Sequence, residues 1–358
     1  MGNDRQPQRI LITGNMGYVG PAVVAHLRKT FPNAELVGLD IGLFAHCLTN
    51  ASVLPETELD QQLFMDVRDV STHLLDGFDA VVNLAAISND PMGNRFETAT
   101  MAINFSAGVR IAELAKQQGA RAFVFASSCS VYGATSGHDR KEHDPLNPLT
   151  AYAKSKIESE TALKRLADPD FLVTCLRFPT ACGMSPRLRL DLVLNDFVAS
   201  AVATGRIEIL SDGTPWRPLI DTNDMALAIE WAIGRGTSGG DFLAINAGNN
   251  ESNHQVKQIA EIVRQEIPEV EIGLSRHAAP DKRSYRVNFD LYKTLAPDHQ
   301  PRVNILGSVR ALTKGLTQMK FADPHFRDSH YTRLNVLGEH IKWGRVGLDL
   351  RLDATATE

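Results

Sequence analysis

The feature that most constrains this chain is the turn Thr13-Gly14-Asn15-Met16-Gly17-Tyr18-Val19-Gly20, set between an apolar run and a stretch with helical spacing. Arg9-Ile10-Leu11-Ile12-Thr13 has the look of a strand buried on both faces of a parallel sheet. Pro21–Lys29 then places Val23, Val24 and Leu27 along one side of a helix. Three glycines between a strand and a helix have a defined use. Gly14 permits a tight turn, Gly17 lets the backbone approach a pyrophosphate, and Gly20 lets helix and strand pack closely. The helix start adds unbonded N–H groups and the positive end of its dipole. Gly14, Met16, Gly17, Tyr18, Val19 and Gly20 are therefore candidate dinucleotide-binding positions. Asp40 ends the next strand, Glu35–Asp40, 20 residues after Gly20, where a carboxylate takes the ribose hydroxyls. Ile41 and Gly42 follow it and supply no Arg for a 2′-phosphate, so NAD is expected rather than NADP.

The alternation continues. Strands are expected at Ala80–Leu84, Ala122–Ala126 and Val173–Phe178, and helices at Phe96–Gln118 and Tyr152–Ala167. That rhythm predicts a doubly wound parallel sheet covered on both faces. After Pro179 it breaks into a helix at Arg187–Thr204, strands at Arg206–Leu210 and Arg217–Ile220, and a helix at Asp224–Gly234. A strand at Asp241–Asn246 and a helix at Asn253–Glu266 complete a smaller lobe. The expected organisation is a cofactor half over 1–178, to which part of 217–247 returns, an interleaved lobe over 179–308, and an extension over 309–358. A net charge of −5 argues against a nucleic-acid partner. Four cysteines without CxxC spacing fit a reducing compartment, and histidines without HxxxH or HExxH pairing predict no metal site. With no apolar run long enough to span a bilayer and none in Met1–Arg9, no membrane partner and a cytoplasmic location are expected.

Tyr152-Ala153-Lys154-Ser155-Lys156 carries the chemistry. On a helix, Tyr152 and Lys156 lie one turn apart on one face. An ammonium beside a phenol favours the phenolate and lowers its pKa from about 10, which makes a base for a substrate hydroxyl. The preceding Phe125-Ala126-Ser127-Ser128 places hydroxyls at a strand end nearby.

On these residues the chain resembles the extended short-chain dehydrogenase/reductase superfamily, in its NAD-dependent nucleotide-sugar epimerase/dehydratase branch, over roughly Arg9 to Ala296. Thr13–Gly20 matches that family's TGxxGxxG, and Tyr152 with Lys156 its YxxxK. The resemblance implies a Rossmann-type doubly wound parallel sheet with a smaller C-terminal α/β substrate lobe, a nucleotide-sugar substrate and a homodimer. It implies cofactor contacts at Asp66, Val67, Leu84, Ala85 and Ala86, and at Ser127, Phe178 and Thr180, with Asn104 beside them. Ser128, four before Tyr132, is implied as the catalytic Ser beside Tyr152 and Lys156. Arg217, in Asp212-Gly213-Thr214-Pro215-Trp216-Arg217, and Arg283, chosen over Arg286, are implied as diphosphate contacts. Ser88 and Asn195 complete the candidate substrate residues, each equally readable as ordinary structure.

The departures narrow the chemistry. Where 4,6-dehydratases carry Asp-Glu, this chain has Cys129-Ser130, and the Asn expected within Phe178-Pro179-Thr180-Ala181 is absent. Cys129, on the opposite strand face from Ser128, reads as packed. What remains is oxidation and re-reduction, hence an epimerase acting at C4 with tightly bound NAD. The alternatives are a dehydrogenase releasing a keto sugar, then a 4,6-dehydratase or a non-catalytic NAD-binding regulator.

Overall fold

The polar start of the chain gives way to β1 (Arg9–Thr13), four of whose residues are buried, as a central parallel strand requires. The computed structural model describes residues 6–134, 137–274 and 284–353. β1 joins β2 (Glu35–Asp40), β3 (Gln61–Phe64), β4 (Ala80–Asn83), β5 (Ala122–Ser128), β6 (Leu172–Phe178) and β10 (Phe242–Asn246) in one sheet. The spatial order is β10-β6-β5-β4-β1-β2-β3, and every pair is parallel. The chain winds outward in opposite directions from β1, so a crevice opens at the carboxyl ends of β1 and β4. The register sets Thr13 beside both Leu39 and Asn83, which brings the glycine turn, Asp40 and Leu84 to one rim.

Helices cover both faces. α1 (Gly20–Thr30) and α7 (Thr222–Gly234) bury Val23 and Ile229 against Ile12 and Val82. On the other face α4 (Gly108–Gln117) and α5 (Ala151–Leu163) bury Ile111 and Leu163 against Leu11 and Val81. Of the stretch 217–247, β10 joins this sheet by pairing with β6. Its other strand, β9 (Trp216–Asp221), lies in a separate three-stranded sheet with β7 (Thr180–Cys182) and β11 (Asn253–Gln255). β8 (Arg206–Ile209) pairs with β12 (Glu271–Leu274). A second core forms where α6 (Val193–Thr204), α8 (Val256–Glu266) and α10 (Ile305–Gln318) bring Val198, Ile259 and Leu312 together. No helix among the described residues is long and apolar enough to cross a membrane.

Three segments differ from the helical reading. The stretch Phe96–Gln118 is not one α-helix: α3 (Glu97–Thr100), which follows α2 (Asp90–Arg95), passes into a π-helical turn at Met101–Ala107 before α4. Such wide turns recur at functional sites. Here it carries Asn104, whose amide clasps the Ile87 N–H at 2.8 Å and the Ile87 carbonyl at 3.0 Å. The helix expected from Arg187 begins only at Val193. The Arg187 and Leu188 carbonyls, which a helix would engage with N–H groups one turn on, instead accept from Arg333 at 2.9 and 3.1 Å. The helix expected from Asn253 gives its first three residues to β11. After α9 (Asp290–Leu295) and α10, the chain crosses back over the parallel-sheet half through α11 (Arg333–Lys342). There Leu337, Val346 and Leu350 pack against Leu43, Met92 and Phe96.

Candidate active site

A cavity of about 1000 Å³ is lined at once by the glycine turn, by Asp40 and Asp66, by Ser128, Tyr152 and Lys156, and by Arg217. At the turn, Gly14 has φ +74°, and a Cβ there would meet the Ala85 nitrogen at 2.5 Å. A Cβ on Gly17 would touch only the Gly14 carbonyl, at 3.2 Å, and otherwise fill the cavity that Gly17 lines. The bare backbone there, followed by α1 without a side-chain cap, is a cradle for a phosphate. Asp40 accepts the Met16 N–H at 3.1 Å and the Gly42 N–H at 2.8 Å. Burial raises its pKa, opposed by those N–H groups and by Arg187. Burial also acts to raise Asp66, but the Arg68 fork at 2.6–3.1 Å outweighs it and holds the carboxyl below its ordinary range. Val67, Leu84, Ala85, Ala86, Phe178 and Thr180 share the lining. These groups fit a dinucleotide with an unphosphorylated ribose.

Ser128 ends β5, and its Oγ accepts the Ser130 N–H at 3.1 Å. Tyr152 sits in the first turn of α5, which is capped by Thr150 Oγ1 on the Ala153 N–H. Tyr152 is half-buried, with its phenol withdrawn from water beside Ser128; that desolvation pushes its pKa up to about 12, and hydrogen bonding to Ser128 opposes the rise. Lys156 Nζ donates to the Ala126 carbonyl at 2.7 Å and lies 5.5 Å from the Tyr152 ring centre. Burial brings Lys156 down to about 8. The protein by itself therefore does not produce the lowered phenol expected from the Tyr–Lys spacing. Both groups are desolvated, and the ammonium is held by a carbonyl rather than by the phenol oxygen.

The opposite wall is a polar network around the buried Arg189. Arg189 reaches both Asp191 carboxylate oxygens at 2.9 Å and Ser88 Oγ at 3.0 Å, and Asn89 Nδ2 reaches Asp191 Oδ2 at 2.9 Å. Ser88 thus lines the cavity with its hydroxyl already engaged. Asp90 lines it too and accepts from Thr150 Oγ1 at 2.7 Å. Asn195 is fully buried and away from the lining. It accepts from the Gly183 N–H and donates to Tyr18 Oη and the Arg189 carbonyl, which makes it a brace for this wall. Asn104 and Met16 likewise stand behind the lining, as braces of Ile87 and Asp40. Ser127 borders the cavity, but its hydroxyl donates to Glu160 at 2.6 Å. Arg217 lines the far part near the buried Tyr285, and Arg283 lies outside the described residues. Cys129 is buried, with its thiol on the Arg177 carbonyl at 3.1 Å, and burial pushes its pKa up. No metal-holding cluster occurs among the described residues.

Arg189, Asp191, Tyr285 and Arg333 line the cavity without having been singled out from the sequence. One signal existed: Leu188-Arg189-Leu190-Asp191-Leu192 alternates charges with leucines, and an Arg–Asp pair among apolar residues is a candidate for joint burial.

A parallel sheet that reverses at a glycine turn, with Ser, Tyr and Lys over one long cavity, defines a dinucleotide-dependent enzyme fold of the short-chain oxidoreductase type. The chain belongs to the NAD dependent epimerase/dehydratase family, whose profile matches residues 10–248. It is 29% identical over 265 residues to the uncharacterized UDP-glucose epimerase YtcB of Bacillus subtilis, covering 71% of this chain and 81% of that protein. Among solved structures it is similar to TunA, an NAD-dependent NDP-hexosamine 5,6-dehydratase of tunicamycin biosynthesis, with a TM-score of 0.74 and 20% identity over 89% of this chain and 99% of that one. It is also similar to the UDP-glucose-4-epimerase of Stenotrophomonas maltophila, solved with NAD and formylated UDP-arabinopyranose, with a TM-score of 0.74 and 19% identity over 87% and 99%. At these identities the likeness to solved structures speaks for the fold.

Proposed function

We propose that the protein is an NAD-dependent nucleotide-sugar epimerase acting at C4 through a transient 4-keto sugar. The observation that carries this reading is the Ser128–Tyr152–Lys156 set on a cavity that continues from the glycine turn to Arg217, with Cys129 buried and Ser130 where an acid pair would serve a dehydratase. NAD, when bound, supplies the acceptor and donor of the hydride.

Tyr152 exchanges the proton of the C4 oxygen, and Ser128 holds that oxygen by a hydrogen bond. A phenol held near 12 is fully protonated at neutral pH, so its O–H is present to hydrogen-bond a carbonyl oxygen. To accept a proton from a hydroxyl it needs positive charge beside it, which Lys156 carries below about pH 8. Arg217 binds the substrate diphosphate, and a homodimer is part of the same reading, testable by light scattering. Asp90, a carboxylate on the cavity that bears on Tyr152, favours a dehydratase as the second reading.

The test incubates the pure protein with UDP-, GDP-, dTDP- and CDP-sugars while following epimer ratio, net NADH and loss of water by mass. Epimer at equilibrium without net NADH supports the proposal. Net NADH without epimer would replace it by a dehydrogenase, and loss of water by a dehydratase. Tyr152→Phe should lower turnover by about 10²- to 10⁴-fold while NAD binding persists.

A further inference from the structure

We infer that Arg333, carried by the C-terminal segment, is a binding residue for the diphosphate of the dinucleotide, so that this segment completes the cofactor site from outside the parallel-sheet half. The inference rests on the dinucleotide reading and adds a contact to it.

Three observations carry it. Arg333 is 2% exposed and lines the same cavity as the glycine turn. Its hydrogen bonds go only to carbonyls: Nη1 to His330 at 2.6 Å, and Nη2 to Arg187 and Leu188 at 2.9 and 3.1 Å. Its Nε–H and a second Nη1–H make no hydrogen bond among the described residues. No carboxylate pairs with it there either. In contrast, Arg68 is paired with Asp66, Arg187 with Glu56 and Arg189 with Asp191. A buried guanidinium without a counter-anion is costly. Burial first, and then the nearby Arg189 and Arg187, draw its pKa down to about 10, against opposing pulls from Cys47 and from Asp191, which is ion-paired to Arg189. A diphosphate on the cavity side would satisfy both the charge and the unused fork.

Second, Arg333 opens α11, a helix of 10 residues whose N-cap Thr332 makes no side-chain bond and whose first turn holds no acid. Thr332 and Leu334 line the cavity as well, so the positive end of this helix borders the place where the guanidinium lies.

Third, the segment is tied to the wall that receives the adenosine end. His340 Nε2 meets the Leu43 carbonyl at 2.8 Å, and Arg68 Nη1 donates to the Asp349 carbonyl at 2.7 Å. Leu350 is buried and lines the cavity.

The position of Arg333 relative to the turn follows from the loop it holds. Its partner Arg187 takes its backbone N–H to Ser185 Oγ, and Ser185 Oγ donates to the Tyr18 carbonyl within the glycine turn at 2.8 Å. Arg333 and the glycine turn therefore hold the same loop, from Ser185 to Leu188, and line the same cavity.

Calorimetric titration of the full chain with NAD, ADP and adenosine tests the inference. Arg333→Gln removes the charge while leaving an N–H donor for the carbonyls. It should weaken NAD and ADP by about 10- to 100-fold, the size of charge-assisted hydrogen bonds, and leave adenosine unchanged. Arg333→Lys should retain more ADP affinity than Arg333→Gln. Unchanged ADP affinity in Arg333→Gln, or an equal loss for adenosine and ADP, would overturn the diphosphate role. A readout on the wild type stands if that variant does not fold. ADP, and not adenosine, should slow amide exchange across α11; equal exchange with both overturns the inference. Failure of the wild type to bind NAD or ADP at all would instead overturn the dinucleotide reading.

Discussion

The turn from Gly14 to Gly20 and the segment from Gly183 to Leu192 border the same cavity, and they are held by different physics. The turn is local: adjoining β1 and α1 set its ends, and its shape follows from glycines where side chains would collide with backbone. A Cβ on Gly20 would stand 1.9 Å from the Asn15 carbonyl oxygen. The second segment has no regular structure of its own and is held by partners far away in sequence. Ser185 bonds Tyr18, Arg187 bonds the Ala45 carbonyl, Arg189 bonds Ser88, and Arg333 holds the carbonyls of Arg187 and Leu188. A cofactor cradle that depends on backbone alone is legible in a few residues. A wall assembled from distant side chains is not.

Breaking either wall should have the largest effect. Arg189→Met leaves the largely buried Asp191 carboxylate with Asn89 but without its cation and should cost about 3 kcal/mol in urea unfolding, the low end for a broken buried pair. Adding Asp191→Leu should recover most of that loss if the pair serves only the wall. If stability returns but turnover does not, the pair also positions substrate. Gly14→Ala attacks the local wall. It places a Cβ at positive φ against the Ala85 backbone and should cost about 3 kcal/mol together with NAD binding.

Lys156 supplies a pH test of the ground between the walls. Its folded pKa, about 8, lies below the ordinary 10.5, so between those values the unfolded chain binds the extra proton. Stability should therefore rise as pH climbs from about 8 to 10.5, by at most about 3 kcal/mol. Unfolding curves of Lys156→Met should lack this part of the slope. Tyr18→Phe makes the smallest change and acts where the walls touch. It removes the bonds to the Gly183 carbonyl and Asn195, and should cost about 1–2 kcal/mol by thermal melts. A raised KM for NAD would show that the joint between the walls shapes the cofactor site.

Much of the framework was readable in advance, and the reasons differ by residue. Ile10–Ile12 and Val81–Val82 announce buried strands because both faces of the sheet are covered. The separation of Asp40 from the glycines follows from one strand–helix–strand unit. Asn195 reads as a substrate contact because it lies on the helix expected after Arg187–Arg189, yet its amide is used by Gly183, Tyr18 and Arg189. Arg187–Leu192 reads as the start of the helix that runs to Thr204, although its leucines alternate. The Arg333 bonds that prevent it come from 146 and 145 positions away. Tyr152 and Lys156 are brought to one cavity, but their protonation is a matter of burial, which spacing does not report.

Sequence alone determined where the backbone must turn, which strands are buried, and that a Tyr–Lys pair follows a dinucleotide cradle. These depend on steric limits and periodicities that act over a few residues. Tertiary structure decided the opposing wall, the raised phenol of Tyr152 and the return of the C-terminal segment to the cofactor cavity. Burial and charge pairing depend on what surrounds a side chain in space, and those neighbours come from every part of the chain.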